Sequence, residues 1–503
     1  MIRNFIRRNL FRNMAYILTT ILILNFSFGS GIQAANAATE TDMSEKVQLR
    51  WIVMGSGDQK DKKLIENSIN EYLEDKINAT LDITTLMWGM DFDNKLNLMI
   101  AAGEPYDINF TASWAADYRH LASIGAYRDL TDMLDTYAPK TKALLGNSIL
   151  KGAEVNGRVY ALPVYNPSNV SSNGILLNSS LVKKYDIDVS RIEKLQDLEP
   201  ILKNIKSKEK KTIPFYPFDK GGSEGVINTL NYDKISLDSP GAVLRDGKST
   251  KVLNEFETND AKSLFSLMNK WYKAGYISKS AKYDIDFYKR NSADIFAMYS
   301  NITALSHDNV INDYNVDIVP VYLGKSSITT SGVTTLMHAI SANSRNPERA
   351  LMFLELVNTD DKLSNLINYG IEGLHYEKTG NSTIVQLPQG ESRYNPDTPW
   401  LFGNQTIAYS LPGWNPESWS ILDKDVKNAV ASPLLGFSFE PAPVQNQITK
   451  INSIKKKYLN DLTIGKVNSD STLAKMNTEM KKAGLQKILS EMQKQVDKFQ
   501  KSK

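Results

Sequence analysis

Side chains able to make or break bonds are few and scattered in this chain. Four histidines stand singly at 120, 307, 338 and 375, in no spacing such as H-E-x-x-H that would gather a zinc ion. Cysteine is absent, which removes disulfides, thiolate metal sites, cysteine nucleophiles and lipid attachment through cysteine. There is no G-x-S-x-G elbow and no G-x-x-x-x-G-K-[ST] loop; Gly221-Gly-Ser-Glu-Gly225 lacks the lysine and reads as a turn. EF-hand loops are also missing, so neither a metal nor a cofactor is expected. What the chain offers instead is aromatic rings beside polar groups at predicted strand ends. Trp88 and Trp114 each follow a strand, Tyr165 enters a breaker-rich crossing, and Tyr299 follows Phe296-Ala-Met. Ser113, Asp219 and Glu372 supply hydroxyl and carboxylate groups at similar places. Trp414 lies with Trp400 and Trp419 in Pro- and Asn-rich sequence that either roofs a cleft or buries a long loop. Flat rings and fixed acceptors hold a ligand by stacking and hydrogen bonding. The competing use is core packing for the rings and helix capping for the two carboxylates.

The elements that must position these residues follow from hydrophobic periodicity. Val47 to Met54 alternates and then turns continuously apolar, as a strand inside a sheet does. Lys62 to Lys76 carries Leu64, Ile65, Ile69, Tyr72 and Leu73 at helical spacing. Thr80 to Met87 is a second strand, Asp91 to Ala102 a helix ended by Gly103, and Tyr106 to Thr111 a third strand. Strand and helix alternating in this way predict a parallel sheet with helices on its faces, and ligands bind at the carboxyl ends of such strands. Met54 to Asp58, Met87 to Gly89 and Thr111 to Trp114 therefore form one candidate cluster. Tyr160 to Tyr165, running into Asn166-Pro-Ser-Asn, reads as a crossing between lobes. Gly174 to Asn178, Thr212 to Phe218, Ala293 to Met298 and Asp317 to Tyr322 give strands of a second lobe, whose sheet is likewise expected to be mostly parallel, and Val333 to Ile340 carries the chain back. The tail, Leu473 to Phe499, is helical with Leu485, Ile488, Leu489, Met492 and Val496 on one face.

Composition agrees with this reading. At 503 residues, 42% hydrophobic and 23% charged, the chain has room for two globular domains sharing a cleft. Residues 1 to 37 read as a secretory signal: Arg3, Arg7, Arg8 and Arg12, then an uncharged run from Met14 to Phe28, then Ala35-x-Ala37 for cleavage. The run is shorter than the roughly 20 residues that span a bilayer. Loss of those four arginines takes the net charge from +3 to −1, which leaves no electrostatic footprint for nucleic acid.

Several segments resemble the extracellular solute-binding proteins of ABC importers, family 1. Leu96-Asn-Leu-Met-Ile-Ala-Ala-Gly-Glu-Pro-Tyr-Asp-Ile108 is similar to its helix, "AxG", proline and "D-[IV]" strand. Gly125-Ala-Tyr-Arg-Asp-Leu-Thr131 and Asn156-Gly-Arg-Val-Tyr-Ala-Leu-Pro163 resemble two further motifs, in order and at the expected spacing. Ser344 to Leu354 resembles the helix after the return crossing. Asn368-Tyr-Gly-Ile-Glu-Gly-Leu-His-Tyr-Glu377, Ser432 to Phe439, Ala483 to Gln486 and Glu491 to Gln495 resemble the LipO-like subgroup, which ends in a domain of unknown function. Such proteins usually carry a lipobox cysteine, and this chain departs from them there.

The resemblance implies an α/β fold of the periplasmic-binding-protein type II, two lobes joined by a multi-strand hinge. The N-terminal lobe is expected from 45–165 with 328–372, and the C-terminal lobe from 166–327 with 373–503. It further implies a non-enzymatic, exported, monomeric protein, extracellular or cell-surface associated but not cysteine-anchored. Its partners would be a carbohydrate, captured by lobe closure, and the membrane subunits of an ABC importer. A sugar presents hydroxyls and weakly polar C–H faces, which suits Trp88, Ser113, Trp114, Tyr165, Asp219, Tyr299, Glu372 and Trp414 as ligand contacts. Two other readings stay open on residues alone. A glycosidase needs only two carboxylates, which 56 acidic residues supply by count, and a ligand-sensing subunit would need the same cleft.

Overall fold

The computed structural model describes residues 43–501, apart from 220–223, 248, 397 and 416. The predicted signal segment, 1–37, lies outside the described residues. In chain order the strands of the two principal sheets are β1 (Val47–Gly55), β2 (Ala79–Met87), β3 (Ile108–Thr111), β4 (Ala161–Pro163), β5 (Ser172–Asn178), β6 (Ile213–Tyr216), β7 (Ile295–Ile302), β8 (Ile318–Tyr322) and β9 (Met337–Ile340). The first sheet has the order β2-β1-β3-β9-β4 and the second β8-β5-β7-β6.

In the first sheet β1 pairs in parallel with β2 and β3, as the βαβαβ pattern requires. Helix α1 (Lys62–Ile77) stops at Asn78 in the left-handed conformation, and α2 (Met90–Ala102) stops at Gly103. Strand β1 is buried almost throughout because it has a neighbour on each side. Returning from the second sheet, β9 enters antiparallel between β3 and β4. It is shorter than the predicted Val333 to Ile340, since 330–333 forms a helical turn. A mostly parallel second sheet, also expected, is not found. There β7 and β8 both run antiparallel to β5, and only β6 and β7 are parallel.

Each sheet has its own core. Trp51 centres the first, with His338, Phe353 and Phe402 meeting it edge-on at 5.3, 5.3 and 5.2 Å. His338 is buried: its Nδ1 accepts from Trp51 Nε1 at 3.2 Å and its Nε2 donates to the Leu401 carbonyl at 2.7 Å. Desolvation lowers its pKa to about 4, so it is a neutral structural imidazole. After α3 (Ser306–Tyr314), α4 (Asp361–Tyr369) and α5 (Ser418–Asn428), the second core is completed by α6 (Gln445–Thr463), α7 (Ser469–Lys482) and α8 (Leu485–Lys501). Ile448, Ile451, Met476, Met480, Ile488 and Met492 all lie inside it.

Tyr394, Leu401, Phe402, Leu422 and Leu435 pack in the first core, whereas Leu434 and Phe437 pack in the second. Tyr394, Pro396, Thr398 and Phe402 line a small void at the end of β1 together with Trp51, Met54 and Gly55.

Three segments cross between the cores side by side. Ser171 and Ser327 exchange backbone hydrogen bonds at 3.3 and 2.9 Å, and 327–328 pairs in parallel with 430–431. Val430 and Ser432 donate to the carbonyls of Ser326 and Ile328 at 2.9 Å each. A three-segment connection of this kind resists shear while leaving a few residues to absorb a change in angle. At the last crossing Gly436 has a φ of 85°, and a Cβ there would stand 2.8 Å from the Lys151 carbonyl.

Candidate functional site

A cleft of about 560 Å³ lies between the two cores, within the range of small-molecule sites. Its walls come from both lobes and from the crossing. From the first lobe, Trp114 stands just past β3, half-exposed, and its Nε1 donates to the Thr335 carbonyl at 2.8 Å. Tyr369, at the end of the helix Asp361–Tyr369, stacks on Tyr409 at 6.3 Å and 24° and donates to its carbonyl at 2.8 Å. Both rings line the cleft. From the second lobe, Leu176 of β5 and Met298 of β7 are register partners on the cleft face, with Ser300 two residues on. Asp219 is beside them, accepting from the Asn301 backbone at 3.0 Å. Asn166 and Gln405 come from the crossing side.

Trp414 and Trp419 complete the wall with ring centroids 5.8 Å apart. They flank the start of α5, which belongs to the first core through Leu422. A second-lobe helix, Ser306–Tyr314, reaches across to hold them. Its buried Asp308 accepts from the Asn415 backbone at 3.0 Å and from Ser418 Oγ at 2.7 Å. Further along α5, Asp423 accepts from Tyr165 Oη at 3.0 Å and Asp425 from Ser326 Oγ at 3.3 Å, so this helix leans on two of the crossings. Burial pushes the Asp425 carboxyl above the usual range. Asp308→Ala is expected to strand those donors and cost about 1–3 kcal/mol. Near-UV circular dichroism of the Trp414–Trp419 pair should change with it; an unchanged tryptophan band would contradict the anchoring role.

Of the sequence-predicted residues, the structure brings Trp114, Asp219 and Trp414 together on the cleft wall. Trp88 is not on that wall but stacks on Trp400, which is, at 5.8 Å and 22°. Tyr299 faces away from it. Its strand continues to Ile302 and does not end at Met298, so alternation turns Met298 and Ser300 to the cleft and Tyr299 to the other face, where its hydroxyl donates to Asn173 Oδ1 at 2.9 Å. Tyr165 is buried against Asp423, and this contact together with desolvation raises its pKa. Glu372 lies on the surface, paired with Lys378 at 3.1 Å beyond the Gly370 turn. Ser113 is exposed and its backbone donates to the Thr334 carbonyl at 2.7 Å, away from the lining. Met54 to Gly57, also expected at the site, instead line a separate void of about 40 Å³ beneath 394–402. Tyr369, Tyr409, Asn166 and Gln405 went unpredicted. The period-2 pattern of β7 was the one available signal for Met298 and Ser300.

No cluster of three or more metal-ligating side chains occurs among the described residues, and none of their helices is long and apolar enough to cross a membrane. The profile of the bacterial extracellular solute-binding proteins matches residues 63–362, more than half of the chain. The chain belongs to this family. It is a solute-binding protein and not an enzyme. A domain of unknown function, DUF3502, matches 433–501, the part that completes the second core.

A carbohydrate ABC transporter substrate-binding protein of Streptococcus pneumoniae is 29% identical over 481 residues, 94% of this chain and 95% of that one. The polygalacturonan/rhamnogalacturonan-binding protein YtcQ of Bacillus subtilis is 22% identical over 71% of this chain and 72% of its own. Among solved structures, the N-glycan transport solute-binding protein NgtS of S. pneumoniae superposes with a TM-score of 0.76 at 29% identity, covering 91% of this chain and 99% of that chain. Its complex with Man5GlcNAc gives 0.60 over the same shares. For this solute-binding protein the likeness therefore extends across both lobes.

Proposed function

We propose that this protein captures an oligosaccharide in the cleft, closes over it about the three crossing segments, and presents it to the membrane subunits of an ABC importer. The observation that carries this reading is the cleft wall, where aromatic rings from the first lobe and the Trp414–Trp419 pair face polar groups of the second. Rings supply flat apolar faces for sugar C–H groups, and Asp219, Asn301, Asn166 and Gln405 supply edge hydrogen bonds. Ligand contacts drawn from both lobes favour the closed form, because only there are all of them made together. Export through the segment at 1–37 and action as a single chain belong to the same proposal. Retention near the membrane would then not use a cysteine.

Calorimetry and thermal shift across mono- and oligosaccharides test the reading, with mass spectrometry of the sugar afterwards. Saturable binding with the sugar unaltered and a smaller radius of gyration on binding are expected. Shortened products, or no binding across neutral and acidic oligosaccharides, would overturn it. Trp114→Ala should weaken binding about thirty-fold, the roughly 2 kcal/mol of a hot-spot aromatic, with unfolding temperature unchanged because the ring is half-exposed.

A further inference from the structure

Aromatic surface does not stop at the rim of the cleft. Trp400 lines the cavity, and on its outer side Trp88 stacks nearly parallel to it at 5.8 Å. Trp88 is held in place by a hydrogen bond from its Nε1 to Ser56 Oγ at 3.0 Å, yet remains 38% exposed. On either side of it Met87 and Met90 are 48% and 78% exposed. Three large apolar side chains thus stand in solvent within four consecutive positions, Met87 to Met90, around Gly89, whose φ of 77° makes the turn from β2 into α2. Scattered exposed apolar residues need no explanation, but a contiguous group that continues a ligand cleft marks a contact surface. An indole fixed by a stack and a hydrogen bond has already lost the rotamer freedom that binding would otherwise remove.

We propose that Trp88, with Met87 and Met90, forms an outer subsite on the first lobe for the portion of a longer oligosaccharide that extends beyond the cleft. This rests on the reading of the cleft as a carbohydrate site. The occupant is argued from continuity, since the Trp88 ring prolongs the wall that Trp400 begins inside. Its flat apolar face suits the C–H face of a further sugar ring. Chain length, not sugar identity, is what this surface would read. Short ligands would be held by the inner wall alone and longer ones by both.

Isothermal titration of the full chain with Man1GlcNAc and Man5GlcNAc, and with any longer and shorter pair of one series found in the screen, tests the subsite. Trp88→Ala is expected to lower affinity for the longer member about tenfold, the worth of one aromatic contact, and for the shorter by less than about twofold. Met90→Ala, at a side chain that is 78% exposed, should again weaken only the longer member, and Trp88→Phe should restore part of the loss. Trp114→Ala should weaken both. Equal weakening of short and long ligands by both Trp88→Ala and Met90→Ala would overturn the subsite and make the patch a contact for the closing second lobe. Unchanged binding of both, with impaired uptake, would equally overturn it in favour of a membrane-subunit contact. Absence of binding to every oligosaccharide by the wild-type protein would instead bring down the carbohydrate reading itself.

Discussion

Glu224→Ala is expected to destabilise the second lobe by about 3–5 kcal/mol, the cost of leaving buried charge without its partner. Glu224 is the shared acceptor of two lysines, Lys455 buried and Lys234 partly buried. Lys455 Nζ reaches its Oε1 at 2.9 Å and also donates to the Leu237 carbonyl at 2.6 Å. Lys234 contacts its Oε2 and donates to Asn228 Oδ1 at 2.8 Å. Lys455 belongs to α6, within the DUF3502 match, whereas Lys234 and Glu224 belong to the part of the second lobe that precedes it in the chain. The carboxylate is thus a pin between the C-terminal helices and the sheet they cover. Removing it leaves two ammonium groups in a low-dielectric setting, Lys455 with the Leu237 carbonyl and Lys234 with Asn228 Oδ1. Urea unfolding of Glu224→Ala beside a Glu224→Met/Lys455→Met pair separates the causes. The apolar pair should recover part of the loss, because well-packed apolar groups replace ion pairs at little cost. A single-variant loss below about 1 kcal/mol would show that water or rearrangement satisfies the lysines. The same packing predicts that residues 433–501 are not a detachable module, since their apolar faces are the second core itself.

A second large effect is expected on acidification. His338 has a folded pKa of about 4 against the unfolded 6.5, because burial disfavours the imidazolium. Above pH 6.5 neither state binds the proton, and stability is at its full value. As pH falls from 6.5 toward 4 the unfolded chain takes up a proton that the folded chain refuses. Stability from this group therefore declines by about 1.4 kcal/mol per pH unit, on the order of 3 kcal/mol across the window. The site is sensitive because its two nitrogens already have opposite roles, one accepting from Trp51 and one donating to Leu401. A second proton has no acceptor there. Chemical unfolding at pH 7, 6 and 5 should show this slope, and His338→Gln should reduce it by one proton while lowering stability at pH 7. An identical slope in the variant would assign the acid sensitivity to other groups.

Legibility of the fold varied along the chain for identifiable reasons. The first lobe from Val47 to Thr111 was readable because each strand and helix carries its own period, and because Asn78 and Gly103 end helices through their own backbone preferences. Trp114 reaches the cleft wall because it stands at the end of a strand whose direction the βαβ rule sets. Tyr299 does not, because β7 runs on past it to Ile302 and alternation turns its ring to the other face. Residues 394–435 are a different case. Their local pattern of prolines, asparagines and tryptophans has no period, so nothing nearby says which core they join.

Absence of thiol chemistry, two-lobed α/β class and family were determined by the sequence itself, through composition, period and ordered motifs that need no long-range contact to be read. Which rings line the cleft was decided only in three dimensions. The Trp88–Trp400 stack joins positions more than three hundred residues apart, and Asp308 meets Asn415 and Ser418 across the cleft. Such pairings depend on how two separately built cores are set against each other by the three crossing segments. That geometry is a property of the assembled backbone and is written in no single stretch of chain.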